Sequence, residues 1–465
     1  MFKKLVMSAA LAAGCFTSSA FAAGEAKNVI FFLGDGMGPV TKTAARIYKF
    51  GEDGSMTMDT FPYAARIKTY SLDAQTTDSA PSMAAYMTGV KQRNDVLSMS
   101  AETVAKAPGK DTVTSVSNAV TNCLATGNGV PLTTLTEYAI AAGKSTGTVT
   151  TARLTHATPA ATYAHSCHRD AEYEISRQAV PGGAGFNAKL GAGVDVMMGG
   201  ISYYWRPYNA STTPRGRPDG RNLVAEMQAK GYTFVNDLAS LNAAPTAAGA
   251  KILALFDFAL AQGHMSYELD RDKTKEPSLA EMTGKAIDIL AKNPKGYFLM
   301  VEGGRIDHAL HATNAKRALE DTVAFDDAIK LALSKVDLTD TIVVVTADHD
   351  HTMAFNGYGK RGSPILGTNI DSKTGTPSLD ADKVPYSTLV FGNGPNRKDT
   401  RVAVDSLTMQ GNDYVQESAI KVAAGGESHG GGDVQLYASG AAAKTFKGTM
   451  DNTKVFTLLK AAGGL

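Results

Sequence analysis

Short β-branched runs recur along this chain with helical periods between them, and that alternation limits the folds open to it more than any other feature. Residues 28–33 (Asn-Val-Ile-Phe-Phe-Leu) read as a buried strand, as do residues 147–151, 297–301 and 341–345. Apolar runs of this length suit strands covered on both faces. Helical periods fill intervals between them. One covers residues 278–291, and another covers 314–334 with apolar positions at Ala318, Val323, Phe325, Ala328, Ile329 and Leu331. Strands separated by helices of this length are joined by crossovers. The expected fold is therefore α/β, with a large, mostly parallel central sheet and helices on both faces.

In such a sheet, ligands collect at the carboxyl ends of the strands. Asp35 follows the first strand, Glu302 follows residues 297–301, and Asp348 and His349 follow residues 341–345. Three strands thus deliver acids or imidazoles to one edge. Residues 356–426 differ in texture, being rich in Gly, Ser, Thr and Asp, with one clear strand at 386–391. They read as an insertion forming a small subdomain on the rim. Residues 203–220, which hold the single tryptophan, Trp205, read as an irregular loop.

Charge says what the chain does not need. Its 46 Lys and Arg against 45 Asp and Glu leave a formal net charge of +1, which supplies no bulk attraction to nucleic acid or an anionic membrane. At the N-terminus, Lys3 and Lys4 precede an apolar run over residues 5–16, and Ala20 and Ala22 form a small-x-small site. Residues 1–22 therefore read as a secretory signal peptide, with the product in the bacterial periplasm or outside the cell. A second reading takes Ala12-Ala13-Gly14-Cys15 as a lipoprotein box, which would leave Cys15 lipidated. Removing residues 1–22 takes away two lysines and no acids, which moves the charge from +1 to −1. No other stretch is apolar for long enough to span a bilayer. Cys123 and Cys167 then remain, either bridged, as an oxidising compartment favours, or as two separate buried thiols.

Several motifs carry chemistry. Asp307 and His311 are spaced i, i+4, so at the opening of a helix they share a face, and a carboxylate and an imidazole converging this way suit Zn²⁺. A solvated ion pair is the bland alternative. Thr-Ala-Asp348-His349-Asp350-His351 directly follows an apolar strand. Asp348 and His349 can share a metal only where the chain leaves regular strand geometry, because side chains alternate along a strand. Asp35 lies between glycines, in Gly34-Asp35-Gly36-Met37-Gly38, without the Lys-Ser/Thr of a P-loop or the dinucleotide spacing, so it fits metal ligation better than nucleotide binding. His429 sits in a glycine-rich loop. Ser79 precedes a helical run with Pro81 in its first turn, where the helix dipole favours an alkoxide or a phosphate. Either it acts there or it merely caps the helix. Thr158 is a candidate oxygen ligand, and Arg169 offers a planar fork for two phosphate oxygens.

Taken together and in order, Asp-Gly-Met-Gly at 35–38, Thr-Asp-Ser-Ala-Pro-Ser at 77–82, Thr-His-Ala-Thr-Pro-Ala at 155–160, Val-Glu-Gly-Gly-Arg-Ile-Asp-His at 301–308, Ala-Asp-His-Asp-His at 347–351 and Glu-Ser-His-Gly-Gly at 427–431 resemble the alkaline phosphatase family along nearly the whole mature length. The animal and marine-bacterial branches are closest in pattern. The resemblance implies one catalytic domain over residues 23–465, with residues 356–426 similar to the family's crown. It implies two Zn²⁺ and one Mg²⁺ per subunit. Asp307, His311 and His429 would hold the first zinc. Asp35, Asp348 and His349 would hold the second, beside the nucleophile Ser79. Asp35, Thr158 and Glu302 would hold magnesium. Arg169 would grip the phosphate, and His351 would orient a zinc ligand. His156 and His308 stand where the bacterial type has Asp and Lys, so His156 would reach magnesium through water. The family activity is hydrolysis of small phosphate monoesters by a homodimer, through a phosphoserine, with broad leaving-group tolerance. The animal branch also carries calcium, for which Asp257 and Glu276 are candidates, although residues 203–220 offer no clear acidic partner.

Overall fold

The computed structural model describes residues 26–259 and 263–465, so the expected signal peptide and Cys15 lie outside the described residues. Its centre is a ten-stranded sheet. In spatial order the strands are Gly448–Asp451, Tyr63–Lys68, Val434–Gly440, Thr341–Ala347, Asn28–Gly34, Tyr297–Gly303, Ser145–Arg153, Val196–Gly200, Lys251–Phe256 and Tyr232–Val235. Val434–Gly440 runs antiparallel to both its neighbours, and every other pairing is parallel. The mostly parallel sheet expected from the alternation of strands and helices is therefore present.

The first strand shows why its apolar run is continuous. Val29, Ile30, Phe31, Phe32 and Leu33 have no exposed surface, because both faces of the sheet are covered. Phe31 points to one face and meets Tyr86 at a ring distance of 5.4 Å, while Phe32 points to the other and meets Phe325 at 5.8 Å, edge to face. Tyr86 lies on the helix Ser79–Thr88, which packs with Ala157–Tyr163 and Asn452–Gly463. Phe325 lies on Ala315–Lys335, which packs with Pro39–Phe50 and Leu279–Leu290. Two of these helices start where sequence chemistry sets them. The Ser278 hydroxyl accepts from the Glu281 N–H at 3.2 Å while the Glu281 carboxylate accepts from the Ser278 N–H at 2.7 Å, a reciprocal cap of the helix start. Asn314 accepts from the Arg317 N–H at 3.0 Å.

Register places the functional edge. Gly34 lies opposite Gly303 on one side and Ala347 on the other, so Asp35, Glu302 and Asp348 leave three adjacent strands at one level. The next strand brings Thr150 opposite Glu302.

In the Gly- and Ser-rich region, a three-stranded sheet joins Met353–Phe355, Leu389–Gly394 and Ser418–Lys421. The strand expected at 386–391 starts later, at Leu389. Its ladder forms only where partners stand: Leu389 to Phe391 face Met353–Phe355, and the pairing with Ser418–Lys421 runs on to Gly394. Among the described residues no helix is long and apolar enough to cross a membrane.

Cys123 and Cys167 form a disulfide, with Cα atoms 5.6 Å apart. It ties residues 100–133, which carry no helix or extended strand, to the segment leading to Arg169. The bridge closes a loop across a sequence separation of 44, which the chain-entropy argument values at about 3–4 kcal/mol. Replacing both cysteines with serine should lower the unfolding free energy by about that amount in reversible denaturant titration, and an unchanged midpoint would contradict the stapling role.

Candidate metal centre

Each functional side chain is delivered by a strand end or a helix start. The helix Ser79–Thr88 is capped by Asp78, whose carboxylate accepts from the Ala80 N–H at 3.3 Å. Capping therefore falls to Asp78. The Ser79 hydroxyl, only 2 % exposed as a residue, turns instead toward His349 Nε2 at 3.2 Å and Asp35 Oδ1 at 3.5 Å. Gly36 has φ +64°, and a Cβ there would lie 2.5 Å from the His351 ring, so glycine at this turn lets the chain fold back against that histidine.

Asp307 and His311 do share a face: the helix Arg305–His311 sets His311 Nε2 3.3 Å from Asp307 Oδ1. His429 Nε2 lies 3.5 Å from the same oxygen and 3.1 Å from His311 Nε2. Backbone carbonyls fix which ring nitrogen carries the proton. His311 Nδ1 donates to the Glu427 carbonyl at 2.5 Å and His429 Nδ1 donates to the Thr77 carbonyl at 2.8 Å. Each neutral ring then presents an Nε2 lone pair, and the two lone pairs face each other beside a carboxylate. Burial foremost, with neighbouring imidazoles, holds His311 and His429 below their ordinary pKa, so a proton between them is disfavoured and a divalent cation fits.

The second group is Asp35, Asp348 and His349, fully buried. Asp348 and His349 lie just past the strand end at Ala347, where the alternation of side chains no longer holds. His349 Nδ1 donates to the Asp350 carbonyl at 3.2 Å, leaving Nε2 3.3 Å from Asp35 Oδ1 and 3.5 Å from Asp348 Oδ2. Asp348 Oδ1 accepts from the Gly36 N–H at 3.0 Å. Asp35 Oδ2 and Asp348 Oδ2 have no hydrogen-bond partner. Burial, and then the charge of Asp35, pushes Asp348 up to about 7. Burial, and then Asp307 and Glu302, holds Asp35 well above the carboxylate range. Buried carboxylates crowded in this way ask for a cation.

The third group gathers Asp35, Glu302 and Thr158, the residues the resemblance implies, with His156 beside them. A His156 ring nitrogen lies within 4.8 Å of the Asp35 and Glu302 oxygens. Thr158 Oγ1 is buried nearby and has no hydrogen-bond partner. Glu302 Oε2 accepts from the Thr150 hydroxyl, and Oε1 is unpartnered. Burial, with Asp348 and Asp307 adding to it against the Thr150 hydrogen bond, carries Glu302 to about 8.

Arg169 donates to Asp78 Oδ1 and, at 2.9 Å, to His156 Nε2. Asp78 stays below the usual carboxylate range despite its burial because Arg169 lies against it. Two partners leave further guanidinium N–H groups for an oxyanion. His351 bridges Asp307 Oδ1 and Glu427 Oε2, at 2.7 Å each. Burial alone would lower its pKa, but these two hydrogen bonds carry it to about 10. His308 stays outside the ligand groups, with Nδ1 3.4 Å from Arg305 Nη1. Three participants escape sequence reasoning: Glu427, Thr150 and the capping carboxylate of Asp78. Glu427 stands inside a quoted motif, but the residues it serves lie 75 and more positions away.

The calcium candidates do not join a ligand group among the described residues. Both Asp257 oxygens accept from Ser202, at 2.6 and 2.5 Å, and Arg206 and Arg215 line the cavity of about 480 Å³ beside it. Glu276 Oε1 accepts from the Ser266 N–H at 2.8 Å.

The alkaline phosphatase family model matches residues 26–465. The alkaline phosphatase of Gadus morhua is 38 % identical over 461 residues, covering 93 % of this chain and 90 % of its own. The tissue-nonspecific isozyme of Homo sapiens is 38 % identical over 462 residues, covering 92 % of this chain and 82 % of its own. The solved structure of Thermus thermophilus alkaline phosphatase superposes with a TM-score of 0.66 at 25 % identity, covering 98 % of this chain and 96 % of that one. The chain therefore belongs to the alkaline phosphatase family and is a phosphoric monoester hydrolase.

Proposed function

We propose that this enzyme hydrolyses phosphate monoesters through a phosphoserine at Ser79, in a centre that takes two Zn²⁺ and one Mg²⁺. One observation carries the reading: the Ser79 hydroxyl lies within 3.5 Å of both His349 and Asp35, beside buried carboxylates and imidazoles of the kind that hold a divalent cation. Asp307, His311 and His429 suit the first zinc, since tetrahedral N/O sites with an open position are its catalytic form. Asp35, Asp348 and His349 suit the second. Asp35, Glu302 and Thr158 would hold the third ion, with oxygen donors as Mg²⁺ prefers, and His156, whose Nε2 accepts from Arg169, would reach it through water. When bound, these ions lower the cost of an alkoxide and of the negative charge that builds on entering and leaving oxygens.

The residues supply positioning. Ser79 at the first position of its helix meets backbone N–H groups and the positive end of the dipole, both of which favour negative charge on Oγ. Its oxygen attacks phosphorus in line as the bond to the alcohol breaks. Water then attacks the phosphoserine from the vacated side, the bond to Oγ breaks, and inorganic phosphate leaves. Arg169, held by Asp78, binds two non-reacting phosphate oxygens and stabilises the charge they share. Because binding centres on the phosphoryl group, the alcohol portion is weakly selected.

The mature enzyme is read as an exported homodimer, with residues 356–426 as the crown. Tyr358, Leu379, Val402, Leu407 and Ile420, all in that region and all at least half exposed, support a surface that a second copy covers.

Replacing Ser79 with alanine should abolish acid-trapped phosphate on the protein and reduce kcat by about a thousandfold or more, and labelled phosphate recovered on another residue would refute the assignment. Arg169→Ala should raise the inhibition constant of inorganic phosphate by about tenfold to a hundredfold, the worth of charged hydrogen bonds. An unchanged inhibition constant would remove Arg169 from the phosphate site.

A further inference from the structure

His264 lies beyond the strand Lys251–Phe256, is buried, and belongs to none of the motifs. Its ring centroid is 3.9 Å from that of His308 and 5.4 Å from that of His156, which it meets edge-on. His156 and His308 are themselves 5.3 Å apart. The three rings form one packet, with His156 and His264 buried and His308 half-buried, and His156 lies beside Asp35 and Glu302.

His264 is fixed from behind. Arg153 faces both of its ring nitrogens, with Nη1 2.7 Å from Nε2 and the backbone N–H 3.1 Å from Nδ1, and the nitrogen that carries no hydrogen accepts from it. Arg153 Nε is in turn held by Glu172 at 3.0 Å. The Met265 N–H donates to the Thr151 carbonyl at 3.0 Å, which pins the segment to the strand that ends at Arg153. Gly200 backs it so closely that a Cβ there would come within 2.8 Å of the His264 carbonyl carbon.

His156 lacks the usual support of a ligating histidine. Such rings are normally oriented by a hydrogen bond from the second nitrogen to a carboxylate or a carbonyl. Here Nε2 meets Arg169 at 2.9 Å and Nδ1 has no hydrogen-bond partner. The Arg169 bond fixes one edge of the ring, and packing against its neighbours sets the rest of its angle.

We propose that His264 is a positioning residue: packed on His308 and edge-on to His156, it holds the His156 ring between the Asp35 and Glu302 carboxylates and the Arg169 guanidinium. It thereby sets both the affinity of the third ion and the seating of the phosphate grip. The inference rests on the reading that Asp35, Glu302 and Thr158 hold that ion with His156 beside it.

The test uses purified full-length enzyme loaded with zinc and titrated with MgCl₂ by calorimetry, with metal content measured per chain. His264→Ala should weaken Mg²⁺ by about tenfold or more, the usual scale for residues supporting a ligand. Zinc content should stay at two per chain, and the phosphate inhibition constant should rise. His264→Phe, which keeps a ring in place, should recover most of the Mg²⁺ affinity. Loss of zinc in parallel with magnesium, or a phenylalanine variant as weak as the alanine one, would overturn the inference. Glu302→Gln separates the two levels. If it weakens Mg²⁺ while His264→Ala does not, the His264 inference fails alone. If it leaves the Mg²⁺ isotherm untouched, the third-site reading fails and the inference falls with it.

Discussion

Two imidazole lone pairs face each other across 3.1 Å, at His311 and His429. This contact is unfavourable unless something positive stands between or beside the rings. Both rings are locked into it, because a carbonyl oxygen at each Nδ1 dictates the tautomer and burial disfavours protonation. His349 repeats the device, with Nδ1 on the Asp350 carbonyl and Nε2 toward Asp35. Three histidines thus present the same nitrogen to a centre lined by Asp35, Asp307 and Asp348. Such a centre is oriented by the protein itself, and its buried carboxylates and imidazole lone pairs are the donor types a divalent cation takes.

The sheet supplies the convergence. Parallel register sets Gly34, Gly303 and Ala347 side by side, so carboxylates from positions 35, 302 and 348 meet without long loops. Tyr86 donates to the Ala347 carbonyl at 2.9 Å and Ser82 donates to the Asp348 carbonyl at 2.8 Å. These bonds fix the Ser79 helix to the strand end that bears Asp348 and His349. The proposed nucleophile is thereby positioned by the same element that carries two proposed ligands. A change in the packing of that helix would be felt at Ser79 as well as in the core.

Much of this was legible in the sequence because it is local. The strand at residues 28–33 reads directly from its apolar run, and Asp307 and His311 are one helical turn apart. Asp35, Glu302 and Asp348 were assignable to one edge from the rule that ligands gather at strand ends. What remained hidden depends on register and on contacts between distant segments. Thr150 meets Glu302 only because two parallel strands align at that level. The later start of the strand at Leu389 follows from where its partners stand. Glu427 reads as one more acid before His429, and only the fold shows that it holds His351 and Thr352. His264 carries no motif signal, since its neighbours His156 and His308 lie far away in sequence.

The central claim is that these side chains enclose a pair of zinc ions. Anomalous diffraction at the zinc edge from crystals of the zinc-loaded enzyme tests it most directly. The account predicts two strong peaks about 4 Å apart. One should be bonded at about 2 Å to Asp307, His311 and His429, and the other to Asp35, Asp348 and His349. A single peak, or zinc seated on other residues while the enzyme turns over phosphate monoesters, would contradict it.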